Sequence, residues 1–320
     1  MKPIYLIVFL FILLSSLCHG SDTLLETDAV SFPKAEYITE NTTRLPFKLV
    51  DHLIVVEAEI YGKKGNFIID TGSEGFLFNS VHFKSLSGIH RGRVGAGVNG
   101  SIGAVDEKSI HKFTLQDFDI KNRKAQIIDL SHLERSKKAR ILGIIGFQVL
   151  KDFEVFIDFY LKQITLFKLD KAGERIDAYM LLEKVNDSID FKLKKHSIIV
   201  ECFVNGERLK FALDTGAEVN QLNKSVSEKV LEKFRPIRRI MMTGMHRRKI
   251  EVLAGKLYEA KLKEGLPCGM MRTIVTDLRK MNEAYGTKLD GVLGYDFIAM
   301  RRIIINYKKK KLYFVKLPYN

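Results

Sequence analysis

Asp70 and Asp214 are the residues of this chain whose type and spacing best suit catalysis. Each follows an apolar run and begins the tripeptide Asp-Thr-Gly, in FIIDTGSEGFLFN (Phe67–Asn79) and FALDTGAEVNQLN (Phe211–Asn223). Burying one carboxylate beside a strand is costly unless something pairs with it. Two carboxylates about 3 Å apart share one proton, so that one can accept a proton from water while the other donates to a carbonyl group. Such a pair could hydrolyse a peptide bond.

The elements that must position these residues form an internal repeat. The 33-residue segments Phe47–Asn79 and Phe191–Asn223 align without a gap at an offset of 144 and share 14 identities. Further along, Gly143 and Gly146 recur as Gly291 and Gly294 at an offset of 148. Self-similarity of this kind indicates a duplicated structural unit. The predicted organisation is residues 1–20 as a signal peptide, 21–44 as an N-terminal extension, 45–169 as the first repeat, 170–177 as a charged linker, and 178–320 as the second repeat.

Each repeat is predicted to be rich in β-structure. Alternating apolar strands end at Tyr61-Gly62 and at Asn205-Gly206, and both dipeptides are typical of two-residue hairpin turns. A closing hairpin is predicted near the end of each repeat. Short helices are predicted at Ser225–Phe234 and Leu278–Ala284.

The ends and the charge of the chain limit where it can act. Lys2, the apolar run Ile4–Leu14 and the small residues before position 20 are typical of a secretory signal peptide cut after Gly20. This predicts a secreted or periplasmic protein without stable membrane insertion after signal removal; an uncleaved membrane anchor is the alternative. The net charge of +14 is interpreted as solvated surface, because no nucleic-acid motif accompanies it. The extension is a propeptide, an edge strand or a tail.

The two Asp-Thr-Gly segments and the apolar glycine segments that follow them resemble the pepsin and retropepsin aspartic peptidases. The matching pieces are IIDTGS with IIGFQVL, and ALDTGA with VLGYDFI. The resemblance implies an all-β fold with a few short helices, as two pseudo-symmetric retropepsin-like acid-protease β-barrel lobes facing a central cleft. It implies an aspartic endopeptidase that acts on peptides or unfolded proteins without a metal or organic cofactor. A monomer is expected, with pairing of repeats between chains as an alternative.

The resemblance also assigns roles around the catalytic pair of Asp70 and Asp214. Ser73 could donate a hydrogen bond to Asp70, whereas Ala217 cannot do so for Asp214, and fewer donors to the pair predict a mildly acidic to neutral pH optimum. The threonines are expected to link the two loops, and the glycines to let the backbones approach. The supporting loop residues are Thr71, Gly72, Ser73, Thr215, Gly216 and Ala217.

A glycine-rich stretch is interpreted as a substrate-binding flap. Gly95, Gly97 and Gly100 formally spell a dinucleotide-binding fingerprint, but no buried strand precedes them and no helix follows. Glycines suit a hairpin that must bend over a substrate. Gly244 marks the counterpart in the second repeat, which contains fewer glycines.

Several other residues keep alternative interpretations. His52 and His196 repeat in phase and are taken as structural, on the expectation that their strands end far from the Asp-Thr-Gly loops. Glu74 and Glu218 either line substrate subsites or bond to neighbouring backbone. Cys202 and Cys268 could form a disulfide or remain free thiols. A catalytically silent peptide- or envelope-binding protein with the same fold is the alternative function.

Overall fold

The computed structural model describes residues 12–13, 36–84, 89–97, 100–179, 183–243 and 249–316. Apart from Ile12–Leu13, the predicted signal peptide therefore lies outside the described residues, and so does Gly244. The described chain is mostly β-structure with a few short helices and barrel-like sheets, which confirms the coarse prediction of the fold.

The strands of the first half are β1 (Ile12–Leu13), β2 (Glu36–Thr39), β3 (Thr42–Pro46), β4 (Lys48–Val50), β5 (Leu53–Ile60), β6 (Lys63–Ile69), β7 (Phe76–Asn79), β8 (Ile89–Gly97), β9 (Gly100–Leu115), β10 (Phe118–Ile128), β11 (Ile141–Ile145), β12 (Phe153–Asp158) and β13 (Gln163–Lys168). Those of the second half are β14 (Val185–Asp190), β15 (Lys192–Lys194), β16 (Ser197–Val204), β17 (Glu207–Leu213), β18 (Asn220–Asn223), β19 (Phe234–Thr243), β20 (Lys249–Lys263), β21 (Leu266–Thr276), β22 (Gly291–Leu293), β23 (Arg302–Asn306) and β24 (Lys311–Val315). The helices are α1 (Ser131–Lys137), α2 (Phe147–Leu150), α3 (Glu228–Leu231), α4 (Arg279–Tyr285) and α5 (Tyr295–Ile298).

The internal repeat in the sequence is also a repeat of topology. The first repeat forms an eight-stranded sheet in the order β4-β5-β6-β11-β7-β10-β9-β8. The second forms β15-β16-β17-β22-β18-β21-β20-β19, with β1 added at the edge. In both sheets the strand before Asp-Thr-Gly runs parallel to the strand of the apolar glycine segment, as β6 with β11 and β17 with β22. Equivalent strands thus place both aspartates at equivalent points.

Local turn chemistry sets the register of the strands that lead to these points. Tyr61 and Gly62 both have positive φ angles, 51° and 70°, and so do Asn205 and Gly206, at 49° and 79°. Two consecutive positive φ angles define the tight turn whose twist suits a hairpin. The pairs β5–β6 and β16–β17 therefore form the two predicted hairpins.

A third sheet joins the two repeats. Its order is β14-β24-β23-β12-β13-β3-β2, with β12 of the first repeat paired antiparallel to β23 of the second at its centre. The closing hairpins β12–β13 and β23–β24 lie as predicted. Strands β2 and β3 extend the sheet at one edge. Residues 36–44 of the N-terminal extension therefore contribute to edge strands.

The helices are less well predicted than the strands. Helix α4 (Arg279–Tyr285) lies where one was expected, and α3 (Glu228–Leu231) is shorter than the predicted segment. Helices α1, α2 and α5 were not predicted. No helix in the described ranges is long and apolar enough to cross a membrane.

Candidate active site

The two Asp-Thr-Gly loops are held by the apolar glycine segments of their own repeats. The Asp70 N–H donates to the Ile145 carbonyl, and the Asp214 N–H to the Leu293 carbonyl, both at 3.0 Å. On the far side of each loop, the first residues of helices α2 and α5 donate hydrogen bonds to loop carbonyls. The Phe147 N–H donates to the Ser73 carbonyl at 2.9 Å, and the Tyr295 N–H donates to the Ala217 carbonyl at 2.8 Å. In each repeat, the apolar glycine segment thus fixes the Asp-Thr-Gly loop.

Thr71 and Thr215 link the two loops to each other. The Thr71 N–H donates to Thr215 Oγ1 and the Thr215 N–H donates to Thr71 Oγ1, each at 3.0 Å. Each hydroxyl then donates to the other repeat, Thr71 to the Leu213 carbonyl at 3.2 Å and Thr215 to the Ile69 carbonyl at 2.8 Å. All of these atoms are buried, so the four bonds fix one loop against the other.

The carboxyl groups of Asp70 and Asp214 meet across this junction and lie within hydrogen-bonding reach of each other. A Cβ atom built on Gly72 would lie 2.5 Å from the Cγ of Asp214, and one built on Gly216 would lie 2.6 Å from the Cγ of Asp70. Each carboxyl group therefore packs against the glycine of the opposite loop. Only a residue without a side chain allows that approach.

Backbone N–H groups hold one oxygen of each carboxyl group. Oδ1 of Asp70 accepts from the Gly72 N–H at 2.8 Å and from the Ser73 N–H at 3.0 Å, and Oδ1 of Asp214 accepts from the Gly216 N–H at 2.8 Å. The Ser73 hydroxyl has no hydrogen-bond partner among the described residues. The prediction that the Ser73 hydroxyl donates to Asp70 is therefore wrong. The donor is the backbone N–H of Ser73, and the buried hydroxyl does not reach the carboxyl group.

The remaining oxygens, Oδ2 of Asp70 and Oδ2 of Asp214, are buried and receive no N–H or hydroxyl donor from the part of the chain that the structure describes. Burial and repulsion by Asp214 raise the pKa of Asp70 well above its usual range. Burial raises the pKa of Asp214 to about 6. Two buried carboxyl groups within hydrogen-bonding reach of each other can share a proton.

Both repeated histidines approach the opposite Asp-Thr-Gly segment, so the expectation that their strands end far from these loops is wrong. His196 Nε2 lies 3.0 Å from the Gly72 carbonyl oxygen. His52 donates to the backbone carbonyl of Glu218 and stacks on Tyr295 with 4.2 Å between ring centroids. The register of the β5–β6 and β16–β17 hairpins places the start of β5 and of β16 beside the Asp-Thr-Gly loop of the same repeat, and because the two loops meet, each histidine also reaches the opposite one.

The two glutamates that follow the loops also have partners in the opposite repeat. Glu218 forms a buried ion pair with Lys137, whose Nζ lies 2.6 Å from Oε1. The Oε2 of Glu74 lies 3.8 Å from His196 Nδ1. Sequence reasoning missed Lys137 and also Tyr285, whose hydroxyl lies 3.3 Å from the Gly72 carbonyl oxygen. The offset of 148 aligns these two residues with each other, and this alignment is the feature of the sequence that could have identified them.

The glycine-rich stretch forms the tip of a hairpin. Strands β8 and β9 pair with Gly95 opposite Ile102 and Gly97 opposite Gly100. In the second repeat β19 and β20 form the equivalent hairpin, whose tip lies outside the described residues. Within the described ranges, no group of three or more His, Cys, Asp or Glu side chains is arranged to hold a metal ion.

Cys202 and Cys268 are both buried free thiols that hydrogen-bond to each other. Neither contributes to the aspartate site. Comparison of the chain with protein-family models and with curated proteins gives no match.

Proposed function

We propose that this protein is an aspartic endopeptidase with two retropepsin-like lobes, one from each repeat, that acts on peptides or unfolded proteins. The observation that carries the proposal is the reciprocal packing of Asp70 and Asp214 against Gly216 and Gly72. This arrangement brings together two buried carboxyl groups with free Oδ2 atoms, which is what activation of water by a shared proton requires.

In the proposed reaction, the ionised member of the pair accepts a proton from water as the water attacks the peptide carbonyl carbon. The protonated member donates to the carbonyl oxygen, and a tetrahedral intermediate results. Collapse of this intermediate breaks the C–N bond once the amine nitrogen has taken a proton from the pair. The two apparent pKa values belong to the pair, so neither aspartate is assigned permanently as the base.

An extended peptide would bind as an added strand. The outer edge of β19 already accepts Ile12–Leu13 as a short antiparallel strand, with Ile12 opposite Thr243 and Leu13 opposite Met242. Pairing of a peptide with an open sheet edge provides main-chain hydrogen bonds that do not depend on sequence. The hairpins β8–β9 and β19–β20 are the proposed flaps, and they would open to admit the peptide.

The experiment is to replace each aspartate by asparagine and to assay cleavage of an unfolded protein with and without pepstatin. Asp70→Asn and Asp214→Asn should each abolish pepstatin-sensitive cleavage while keeping a cooperative unfolding transition. The matched control is Asp129→Asn, since Asp129 and Asp277 also repeat in phase but Asp129 is exposed and away from the pair. Persistent cleavage by either single variant of the pair would contradict the shared proton.

A catalytically silent binding protein is the second candidate, and one observation favours it. Asp70 and Asp214 are 0% and 1% exposed, so water reaches them only after the surrounding structure opens. Purified wild-type protein that binds peptides but cleaves nothing between about pH 3 and 8, a window that brackets titration of such a pair, would support this candidate. Either function is proposed to take place in a secreted or periplasmic setting.

A further inference from the structure

The carbonyl group of Gly72 is contacted by two side chains from the opposite repeat. His196 Nε2 lies 3.0 Å from this oxygen and the Tyr285 hydroxyl 3.3 Å from it. Both side chains are completely buried. A carbonyl oxygen only accepts hydrogen bonds, so Nε2 of His196 carries the hydrogen and the Tyr285 hydroxyl donates.

This carbonyl belongs to the peptide unit between Gly72 and Ser73, and the N–H of the same unit donates to Asp70 Oδ1 at 3.0 Å. A continuous chain of hydrogen bonds therefore runs from His196 and Tyr285 through one peptide group to Asp70. Hydrogen bonds in such a chain polarise one another, so donors on the carbonyl oxygen strengthen the N–H as a donor.

The second repeat lacks the same arrangement at the corresponding place. The Ala217 N–H donates to the backbone carbonyl of Asp214 at 3.3 Å, as the Ser73 N–H does to that of Asp70 at 3.2 Å, but among the described hydrogen bonds Oδ1 of Asp214 accepts from the Gly216 N–H and not from that of Ala217. His52, the counterpart of His196, donates to the carbonyl of Glu218 instead. Lys137, the counterpart of Tyr285, pairs with the Glu218 carboxylate. The duplicated positions have therefore been put to different uses in the two repeats.

We propose that His196 and Tyr285 are positioning residues for Asp70, which hold and polarise the Gly72–Ser73 peptide so that its N–H stabilises the ionised carboxylate. The proposal deepens the proposed function and rests on it for its kinetic consequence. Its effect on protonation is measurable whether or not the protein cleaves peptides.

The titratable groups around this chain of hydrogen bonds leave the aspartate pair as the group that titrates near neutral pH. Asp70 faces Asp214, Tyr285 and Tyr307, and burial raises the pKa of both tyrosines above its usual range. Burial lowers the pKa of His196 to about 4, and its other neighbours are Lys195 and the carboxylate of Glu74. His196 is therefore neutral above about pH 5.

The test is titration of the aspartate carboxyl carbons by NMR in wild type and in variants. His196→Leu removes the donor, and the pKa of the pair should rise by about a few tenths of a unit, because the N–H of a less polarised peptide group is a weaker donor to the ionised carboxylate. His196→Gln restores a donor and should titrate close to wild type. Tyr285→Phe removes one hydroxyl and should give a smaller rise. The matched control His52→Leu should leave the titration unchanged.

In the kinetic arm, the alkaline limb of the pH–rate profile of His196→Leu should move up by the same amount, while KM stays near the wild-type value. An unchanged carboxyl titration in folded His196→Leu overturns the proposal. If that variant does not fold, Tyr285→Phe decides, and an unchanged titration there overturns it. If wild-type protein cleaves nothing but the carboxyl titration still shifts in His196→Leu, the result supports the positioning role and contradicts the proposed function.

Discussion

Two carboxyl groups buried side by side destabilise the folded chain once both are ionised, because each has lost its water and each repels the other. The pKa of Asp214 is raised to about 6 from a usual value of 3.8. Between these values the folded state holds a proton that the unfolded state has released, so folding stability falls as pH rises through this window. The share of this cost that comes from Asp214 is complete above about pH 6 and absent below about pH 4.

Asp214→Asn removes this titration. We expect its unfolding free energy to exceed that of wild type by about 2 to 3 kcal/mol more at pH 7 than at pH 4, which corresponds to a shift of about two pKa units. Urea denaturation at the two pH values measures the gain. The exposed control Asp129→Asn should change by less than about half a kcal/mol, as surface substitutions generally do. A gain that is the same at pH 4 and pH 7 would show that the buried pair is not its cause.

At the scale of the elements, the junction between the repeats depends on the two loops that leave β6 and β17. The Thr215 hydroxyl takes part in two hydrogen bonds across this junction, one from the Thr71 N–H and one to the Ile69 carbonyl. Both are buried, and a buried polar group left without its partner costs about 1 to 3 kcal/mol. The hydroxyl of one threonine therefore carries a substantial share of the link.

Thr215→Val keeps the shape of the side chain and removes the hydroxyl. We expect it to lower the unfolding free energy by about 2 to 4 kcal/mol, since two buried backbone groups lose their partner. Thr215→Ser keeps the hydroxyl and should lose less, about 1 kcal/mol for one buried methyl group. Equilibrium denaturation compares the two. Equal losses in Val and Ser would mean that methyl packing, rather than the hydrogen bonds, holds the loops together.

The sequence was sufficient to predict elements whose cause is local. Turn chemistry at Asn205-Gly206 and the repeated apolar strands predicted hairpins that the structure contains. Contacts between the repeats were not predictable in the same way. His196 was placed far from the loops although the predicted hairpin pairs the start of β16 with the end of β17, next to Asp214; only its contact with the Gly72 carbonyl of the other repeat was beyond the sequence pattern. The role of the Ser73 backbone depends on the loop conformation, which residue type alone does not fix.

For the whole molecule, the central strand pair decides which repeats can join. The pseudo-twofold axis passes between Phe156 of β12 and Ile304 of β23, which are opposite each other and are equivalent at the offset of 148. Around this axis Asp158 pairs with Arg302, at 2.7 Å, and Glu154 accepts from the Asn306 side chain at 2.8 Å. These side chains are buried.

Pairing of like repeats would break these contacts. Two copies of β12 in the same register would bring Glu154 of one chain against Asp158 of the other, twice, and Asp158 would lose its cation whereas Glu154 would keep Arg175. Two copies of β23 would leave the guanidinium of Arg302 facing Asn306, with Glu183 as its remaining carboxylate. A buried charge such as Asp158 without its partner costs about 3 to 5 kcal/mol. The charge pattern of the central sheet therefore disfavours assembly of two first repeats or two second repeats.

The charge pattern pairs a first repeat with a second but does not decide whether the two belong to one chain, and a chain-exchange experiment tests that. Asp70→Asn and Asp214→Asn proteins, unfolded together in urea and refolded at equal concentration, should regain no measurable cleavage activity, because each chain pairs its own repeats through the short linker 170–177. Wild type taken through the same refolding should recover activity and light-scattering mass of a single chain. Recovered activity in the mixture would mean that an intact Asp70 from one chain had met an intact Asp214 from another, and that the short linker does not confine pairing to one chain.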